Sequence, residues 1–332
     1  LAMAYNGSAG ETQRQMEEAL QLSGMTPQET NLAYSGLLKM LQAPASGVEI
    51  VIANSLWGNK KIEFKKEFIK SCELYFDARV DMLDFSNPNA PSIINAWVKQ
   101  STKGLIDSII DAIQPMDVMF LINAIYFKGI WTNKFDEART RDREFHLLNG
   151  GRKKHPMMSQ SGKFKYFRGD DFQAICLPYA DETMSMYIFL PDSISGIHRF
   201  IEKIDAMNFE KWVSNMRPMK GDISIPRFKM SYDIKLNDAL KALGMKDAFT
   251  GKANFSKMTP MQVLISYVRQ KTFVEVDEEG TKAAAVTAVG MTLTSAEPPQ
   301  RFHMVADHPF FCVIRDDGTG VVLFMGTIVE PM

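Results

Sequence analysis

The chain has 332 residues, 45% of them hydrophobic and 23% charged, with a formal net charge of −1. That composition suits an ordinary globular fold of one large domain or two smaller ones. Near-zero net charge argues against bulk attraction to nucleic acid or membrane, and no apolar run reaches the roughly 18–20 residues a membrane-spanning helix needs.

The first half reads helix-rich. Leu1 to Gly7 reads as the end of a helix that breaks at Asn6-Gly7. "GETQRQMEEALQLSG" has a polar start, helical spacing of Met16 and Leu20, and a stop at Gly24. "TPQETNLAYSGLLKMLQ" repeats that logic with Pro27 early. "VEIVIANSLWG" is a β-branched strand, and "KIEFKKEFIKSCELYF" an amphipathic helix. "SIINAWVKQSTKGLIDSII" is a further helix, with a stripe of Ile94, Trp97, Val98 and Leu105. From Met116 strands take over. "MDVMFLINAIYFKGIW" is near-continuously apolar, so buried on both faces. "FQAICLPYA", "MSMYIFLPD", "GDISIPRFKM", "TFVEVDEEG", "HPFFCVIRD" and "GVVLFMGTIV" follow, punctuated by Pro, Gly and Asp, and "DDGTG" reads as a hairpin turn between the last two. "YDIKLNDALKALGMKDAF" reads as a late helix ending at Gly244. Helices early and sheets late predict an α+β fold.

Signals for catalysis are missing. The five histidines show no metal-ligand spacing, and there is no nucleophile elbow, dinucleotide fingerprint or phosphate loop. The expectation is a protein that is not an enzyme, with no cofactor and no metal. Cys72, Cys176 and Cys312 are far apart, two of them in apolar strand-like runs, which predicts buried free thiols. Lys60, Lys61, Lys65, Lys66 and Lys70 could line part of one helix as a weak polyanion site, although Glu63, Glu67 and Glu73 interleave with them.

The most unusual stretch is "EEGTKAAAVTAVGMTLTSAEPP", Glu278 to Pro299, which has no charge between Lys282 and Glu297. Read with period 2, one face grows apolar toward Val289, Met291 and Leu293, and the other stays small. Gly280 suits a backbone hinge, and Pro298-Pro299 suit the end of strand pairing. The same residues lack the large anchors of a packed segment and suit an exposed, protease-accessible loop. One sequence thus fits two states, a loop and an inserted strand.

"VEVDEEGTKAAAVTAV" resembles the hinge of the serpins, the serine-protease-inhibitor family. "LINAIYFKGIWTNKFD", "HPMMSQSGKFKY", "MSMYIFLPD", "ISIPRFKMSYDIKLNDALKALGMKDAF" and "ADHPFFCVIRDDGTGVVLFMGTIVEP" are similar to serpin signatures in serpin order. The resemblance covers essentially the whole chain. It implies about nine helices and three sheets in a single domain over 1–332, lacking the family's first helix and the start of the second. It implies a suicide-substrate inhibitor of serine endopeptidases. A protease attacks the exposed loop, and the cleaved loop inserts into the central sheet before the acyl-enzyme hydrolyses.

The hinge would be Glu279, Gly280, Thr281, Ala283, Ala284 and Ala285, and family spacing from Gly280 places the reactive bond at Thr294-Ser295. Met291, Thr292, Leu293 and Ala296 would fill neighbouring subsites. Thr294 in the primary pocket suits an elastase-like target. A register slip to Leu293 would suit chymotrypsin-like, subtilisin-like or cysteine proteases. Asn123, Gln270 and Trp131 match the family's gate and the point where the loop enters the sheet. Gln270 stands where many serpins carry a histidine, so the hydrogen bond it is expected to share with Asn123 would not titrate. The target protease is the expected partner, with no nucleic acid, no membrane and a monomeric chain. Secretion to the extracellular space is favoured, an intracellular site being the alternative. The rival class is a non-inhibitory serpin acting as carrier, chaperone or storage protein.

Overall fold

A computed structural model describes residues 1–43, 47–180, 182–266, 268–279 and 301–332. In chain order it forms α1 (Ala2–Gly7), α2 (Gly10–Ala19), α3 (Pro27–Leu41), β1 (Val48–Asn59), α4 (Lys66–Phe76), β2 (Arg79–Leu83), α5 (Ala90–Ser101), β3 (Met119–Gly129), β4 (Arg141–His146), β5 (Arg152–Arg168), β6 (Phe172–Pro178), β7 (Met184–Pro191), α6 (Gly196–Lys203), α7 (Ala206–Ser214), β8 (Arg217–Pro226), β9 (Phe228–Lys235), α8 (Asn237–Ala242), β10 (Arg269–Val276), β11 (Phe302–Val305), β12 (Phe310–Asp316) and β13 (Val322–Ile328). The fold is α+β, as expected. It divides into two compact units, each made of three stretches of chain.

Local chemistry explains where several elements start and stop. At α3, Thr26 Oγ1 accepts the Glu29 N–H at 3.2 Å and Glu29 Oε2 accepts the Thr26 N–H at 2.8 Å. With Pro27 in the first turn, this reciprocal cap fixes the helix start. The helix expected over 92–110 ends at Ser101 instead. Lys103 and Gly104 turn with φ of 53° and 84°, and Thr102 Oγ1 accepts the Ile106 N–H. Asn95 on α5 then holds the returning chain: its Oδ1 accepts from Ile109 N at 2.9 Å and Ile110 N at 3.0 Å, and its Nδ2 donates to Ile110 O at 2.7 Å. The late helix expected from Tyr232 is also shorter. Residues 232–235 complete β9, and only Asn237–Ala242 is α-helical.

The first unit (Leu1–Ala43, Ile50–Phe127, Ser231–Val274) holds most of a five-stranded sheet of order β2-β1-β3-β10-β9. β3, expected to be buried on both faces, is buried on the face of Phe120, Ile122, Ala124 and Tyr126 and half-buried on the face of Met119, Leu121, Asn123 and Ile125; its two sides meet different cores. Phe120, Ile122 and Ala124 pack with Trp57, Ile94, Val98 and Ile109, the α5 side. Met119 and Leu121 pack against the core that holds Met16 of α2, Phe68 and Phe76 of α4, and Met245.

The second unit (Pro44–Glu49, Lys128–Met230, Glu275–Met332) holds the eight-stranded sheet, of order β11-β8-β5-β6-β7-β12-β13 with β4 on β5. The family implies three sheets, and the described residues form two, with eight α-helices rather than about nine. The cause is β5, a continuous 17-residue strand. It pairs with β8 from Met157↔Pro226 to Tyr166↔Arg217 and with β6 from Lys165↔Cys176 to Arg168↔Gln173, joining what would otherwise be separate sheets. β7 is buried along its whole length. Phe172, Phe189, Phe200, Phe209 and Phe311 form an aromatic cluster beside β7, with Trp212 packed against it. The expected "DDGTG" hairpin joins β12 to β13, with Gly320 at φ 79°. Cys72, Cys176 and Cys312 are buried free thiols.

Candidate functional site

Gly280, Thr281, Ala283, Ala284, Ala285, Met291, Thr292, Leu293, Thr294, Ser295 and Ala296 lie outside the described residues. The structure describes how the chain is held on either side of them.

On the upstream side, β10 ends at Val276 and the next three residues are acidic: Asp277, Glu278 and Glu279. The Glu278 side chain is only 3% exposed. Its carboxylate accepts from Arg227 Nη2 at 2.7 Å, Arg227 Nε at 3.1 Å and Thr140 Oγ1 at 2.6 Å. Burial works against its ionisation, but the bonds from Arg227 and Thr140 outweigh that and hold its pKa below the usual glutamate value. Asp277 is shifted the other way. Burial raises its pKa, and the neighbouring acids add to the shift.

Trp131 grips the same three residues from the end of β3. Its indole N–H donates to Asp277 O at 2.9 Å and its backbone N–H to Glu279 O at 3.3 Å. The Phe135 N–H donates to Glu278 O at 2.9 Å. The indole is 3% exposed and stacks on Tyr179 at 4.6 Å and 11°, with Phe135 edge-on at 6.3 Å and 74°. Trp131 is thus both an aromatic core residue and the clamp on the last turn before Gly280.

On the downstream side, β11 pairs parallel with β8, from Phe302↔Gly221 to Val305↔Ser224. A Cβ on Gly221 would meet the Phe302 ring at 2.3 Å, so glycine is required there for the strand to seat. Phe302 stacks on Tyr166 at 4.0 Å, and Arg301 pairs with Asp222 at 2.9 Å.

Where the gate is expected, β3 and β10 pair directly and in parallel, from Lys271↔Ala124 to Val274↔Phe127. Asn123 and Gln270 are the next residues back along the two strands. The expected bond between their side chains is replaced. Asn123 Nδ2 donates to Asn54 Oδ1 at 2.9 Å, and Asn54 Nδ2 donates to Phe76 O at 2.9 Å. The asparagine on β1 reaches Asn123 from the same sheet face and takes the amide that Gln270 was expected to meet. The lower end of β10 is tied by charge. Arg269 meets Asp233 at 2.7 and 2.8 Å and Asp111 at 2.8 Å, while Lys271 Nζ donates to Ser108 O at 2.9 Å.

Sequence reading named Trp131 and Glu279 separately, and the structure brings them together through the Trp131 N–H and Glu279 O; it did not single out Arg227, Thr140 or Tyr179. Each lies on a distant stretch of chain, and no local pattern marks it. The lysine cluster does not form one helix face. α4 begins at Lys66, so Lys60, Lys61 and Lys65 precede it, with Lys60 paired to Asp84 at 2.8 Å and Lys61 bonded to Ser86 Oγ at 2.8 Å.

Comparison with known proteins agrees with this architecture. A family model described as Serpin (serine protease inhibitor) matches residues 1–331. Serpin-Z7 of Hordeum vulgare is 37% identical over 350 residues, covering 100% of this chain and 87% of that protein. The native-state crystal structure of the thermophilic serpin tengpin superposes with a TM-score of 0.88 at 33% identity, covering 99% of this chain and 85% of that one. Human thyroxine-binding globulin complexed with its hormone gives a TM-score of 0.88 at 26% identity, covering 100% of this chain and 89% of that one.

Proposed function

The chain belongs to the serpin family, and from that premise we propose that it is a suicide-substrate inhibitor of serine endopeptidases. The observation that carries the reading is the direct parallel pairing of β3 with β10 in the middle of a five-stranded sheet. A chain that turns back at Gly280, immediately after β10, runs antiparallel to β10 and therefore to β3 as well. Inserted between them, it replaces one short parallel ladder by two antiparallel ones, the more stable kind per residue. About a dozen inserted residues, at roughly 0.5–1.5 kcal/mol net per ladder bond, give a driving force on the order of 10 kcal/mol before entropic costs. That is comparable to a whole domain's stability of about 5–15 kcal/mol.

Thr281, Ala283, Ala284 and Ala285 are small enough to pass into the sheet, and the clamp on Asp277 to Glu279 fixes where bending begins. The protease cleaves at Thr294-Ser295, is held as an acyl-enzyme, and is distorted as Thr281 to Leu293 insert. Thr294 favours elastase-like enzymes, and a cut after Leu293 would favour chymotrypsin-like, subtilisin-like or cysteine proteases. The inhibitor is treated as one domain, because each compact unit is assembled from three separate stretches of chain. We also place it outside the cell as a monomer, with weak polyanion binding confined to Lys65, Lys66 and Lys70, which have no ion pair among the described residues.

The second reading, a carrier, draws on the likeness to thyroxine-binding globulin. Incubation with pancreatic elastase separates the two. An inhibitor gives an SDS-resistant complex of the two chains, and mass spectrometry of the released peptide begins it at Ser295. Cleavage with no trapped complex overturns the inhibitory reading.

A further inference from the structure

A pocket of about 130 Å³ opens beside Trp131, walled by Trp131, Phe135, Leu177 and Cys176 and edged by Lys163 and Lys165. Cavities of roughly 150 Å³ lined by apolar side chains take a benzene ring, so this one has room for one ring or a branched chain of similar bulk. No carboxylate is among its lining residues. Lys163 and Lys165 are exposed and, among the described residues, have no ion-pair or hydrogen-bond partner.

The register adds a second observation. Lys163 stands directly opposite Lys220 of β8, a like-charged pair on one sheet face. Such pairs are destabilising unless a counter-charge lies between them. The one acid two residues along β8, Asp222, is engaged by Arg301 at 2.9 Å and by His303 at 3.4 Å. Apolar walls edged by two ammonium groups without an ion-pair partner among the described residues, with a third, Lys220, across the strand from Lys163, call for a ligand with a ring-sized body and a negative charge.

We propose that this pocket binds a small aromatic or branched-chain carboxylate, with its ring against Trp131, Phe135 and Leu177 and its carboxylate at Lys163 and Lys165. Occupancy also bears on the hinge, a consequence that rests on the inhibitory reading. Trp131 and Phe135 are the residues that donate to Asp277, Glu278 and Glu279, so a ligand packed on their rings stiffens the turn from which the loop must bend.

Isothermal titration of the intact chain with phenylacetate tests the site without any protease. Saturable binding is expected, weakened at least tenfold in the Lys163→Ala/Lys165→Ala double variant and unchanged in Lys66→Ala/Lys70→Ala. Phenethylamine, which reverses the ligand charge, is expected not to bind. Absence of saturable phenylacetate binding, equal affinity in the Lys163/Lys165 variant, or equal binding of phenethylamine each overturns the proposal. With elastase present, phenylacetate is expected to shift the ratio of trapped complex to cleaved chain. If the chain traps no protease at all, the inhibitory reading fails while the binding isotherm still decides the site.

Discussion

The two sheets are built on opposite principles. In the eight-stranded sheet β7 is paired on both sides by antiparallel neighbours, β6 over Phe172↔Pro191 to Pro178↔Ser185 and β12 over Phe311↔Phe189 to Asp316↔Met184. Every residue of β7 is buried. In the five-stranded sheet the central β3–β10 contact is a parallel ladder of Lys271↔Ala124 to Val274↔Phe127, and most of β10 is only half-buried. The first arrangement has nothing to gain by opening. The second has a short parallel ladder, and under the proposed mechanism its replacement by two antiparallel ones is downhill. The two sheets thus differ in strand direction and burial, and the proposed insertion assigns opening to the parallel, half-buried pair.

The most complete way to break this contrast is at the hinge. Thr281→Arg places a charge at the first residue that the proposed mechanism inserts into the five-stranded sheet. Cleavage by elastase is expected to proceed as before while trapping is lost altogether, because burying an unpaired guanidinium costs more than the inserted ladder bonds return. Unchanged complex formation on SDS gels would remove insertion as the mechanism. Next in size is Phe189→Ala in β7, which empties part of the aromatic cluster with Phe172, Phe200 and Phe209. The expected loss is about 3–5 kcal/mol in denaturant unfolding. A loss under about 1 kcal/mol would mean that the eight-stranded sheet is not the rigid partner in the comparison.

Glu278→Gln comes third. It keeps the shape of the side chain but removes a buried charge that Arg227, itself 45% exposed, and Thr140 satisfy. Because Arg227 can return to water, the cost is expected to be about 1–3 kcal/mol, less than for a fully buried pair. The loss should be local. Hydrogen exchange is expected to speed up at Trp131 and Phe135, whose N–H groups donate to Glu279 and Glu278. Unchanged protection at those two amides would show that the carboxylate does not hold the turn.

How far the sequence carried the structure follows from the range of the interactions. Cap chemistry is local, so α3 could be read from Thr26, Pro27 and Glu29. The burial of β3 was legible for the face of Phe120, Ile122, Ala124 and Tyr126, and overdrawn for the face of Met119, Leu121, Asn123 and Ile125, which is half-buried. The second half of β9 was missed because "YDIK" also carries helical spacing toward Leu236 and Leu240, and only pairing with β10 decides it. α5 was drawn too long because nothing in "QSTKG" announces that Lys103 turns with positive φ. At the site, the small residues after Gly280 and the indole of Trp131 carry their own signal. Arg227, Thr140 and Asn54 do not, since their roles exist only once distant strands have met.

The smallest effect expected lies at the other anchor of the eight-stranded sheet, between β11 and β12. Both ring nitrogens of His308 face acceptors: Nδ1 lies 2.8 Å from Asp307 Oδ1 and Nε2 lies 2.7 Å from Pro191 O. A neutral imidazole can donate to only one of them, so the geometry fits the imidazolium. Burial lowers the His308 pKa, but the bonds to Asp307 and Pro191 O and the charges of Asp307 and Asp192 outweigh it, and the value is raised. Asp307 is lowered in turn: burial opposes its ionisation, while His308, followed by the charge of His146, favours it. Asp192 is itself engaged by Arg168 at 2.6 Å, which limits its share. A histidine with a raised folded pKa stabilises fully below its unfolded value of about 6.5 and loses that contribution as pH rises through the folded value. Denaturant stability is therefore expected to fall by about 1 kcal/mol as pH rises from about 6.5 through the raised folded value, the scale of one partly exposed charge-assisted bond. His308→Gln should flatten that slope while leaving trapping intact. A variant with the same slope as the parent would place the titrating group elsewhere.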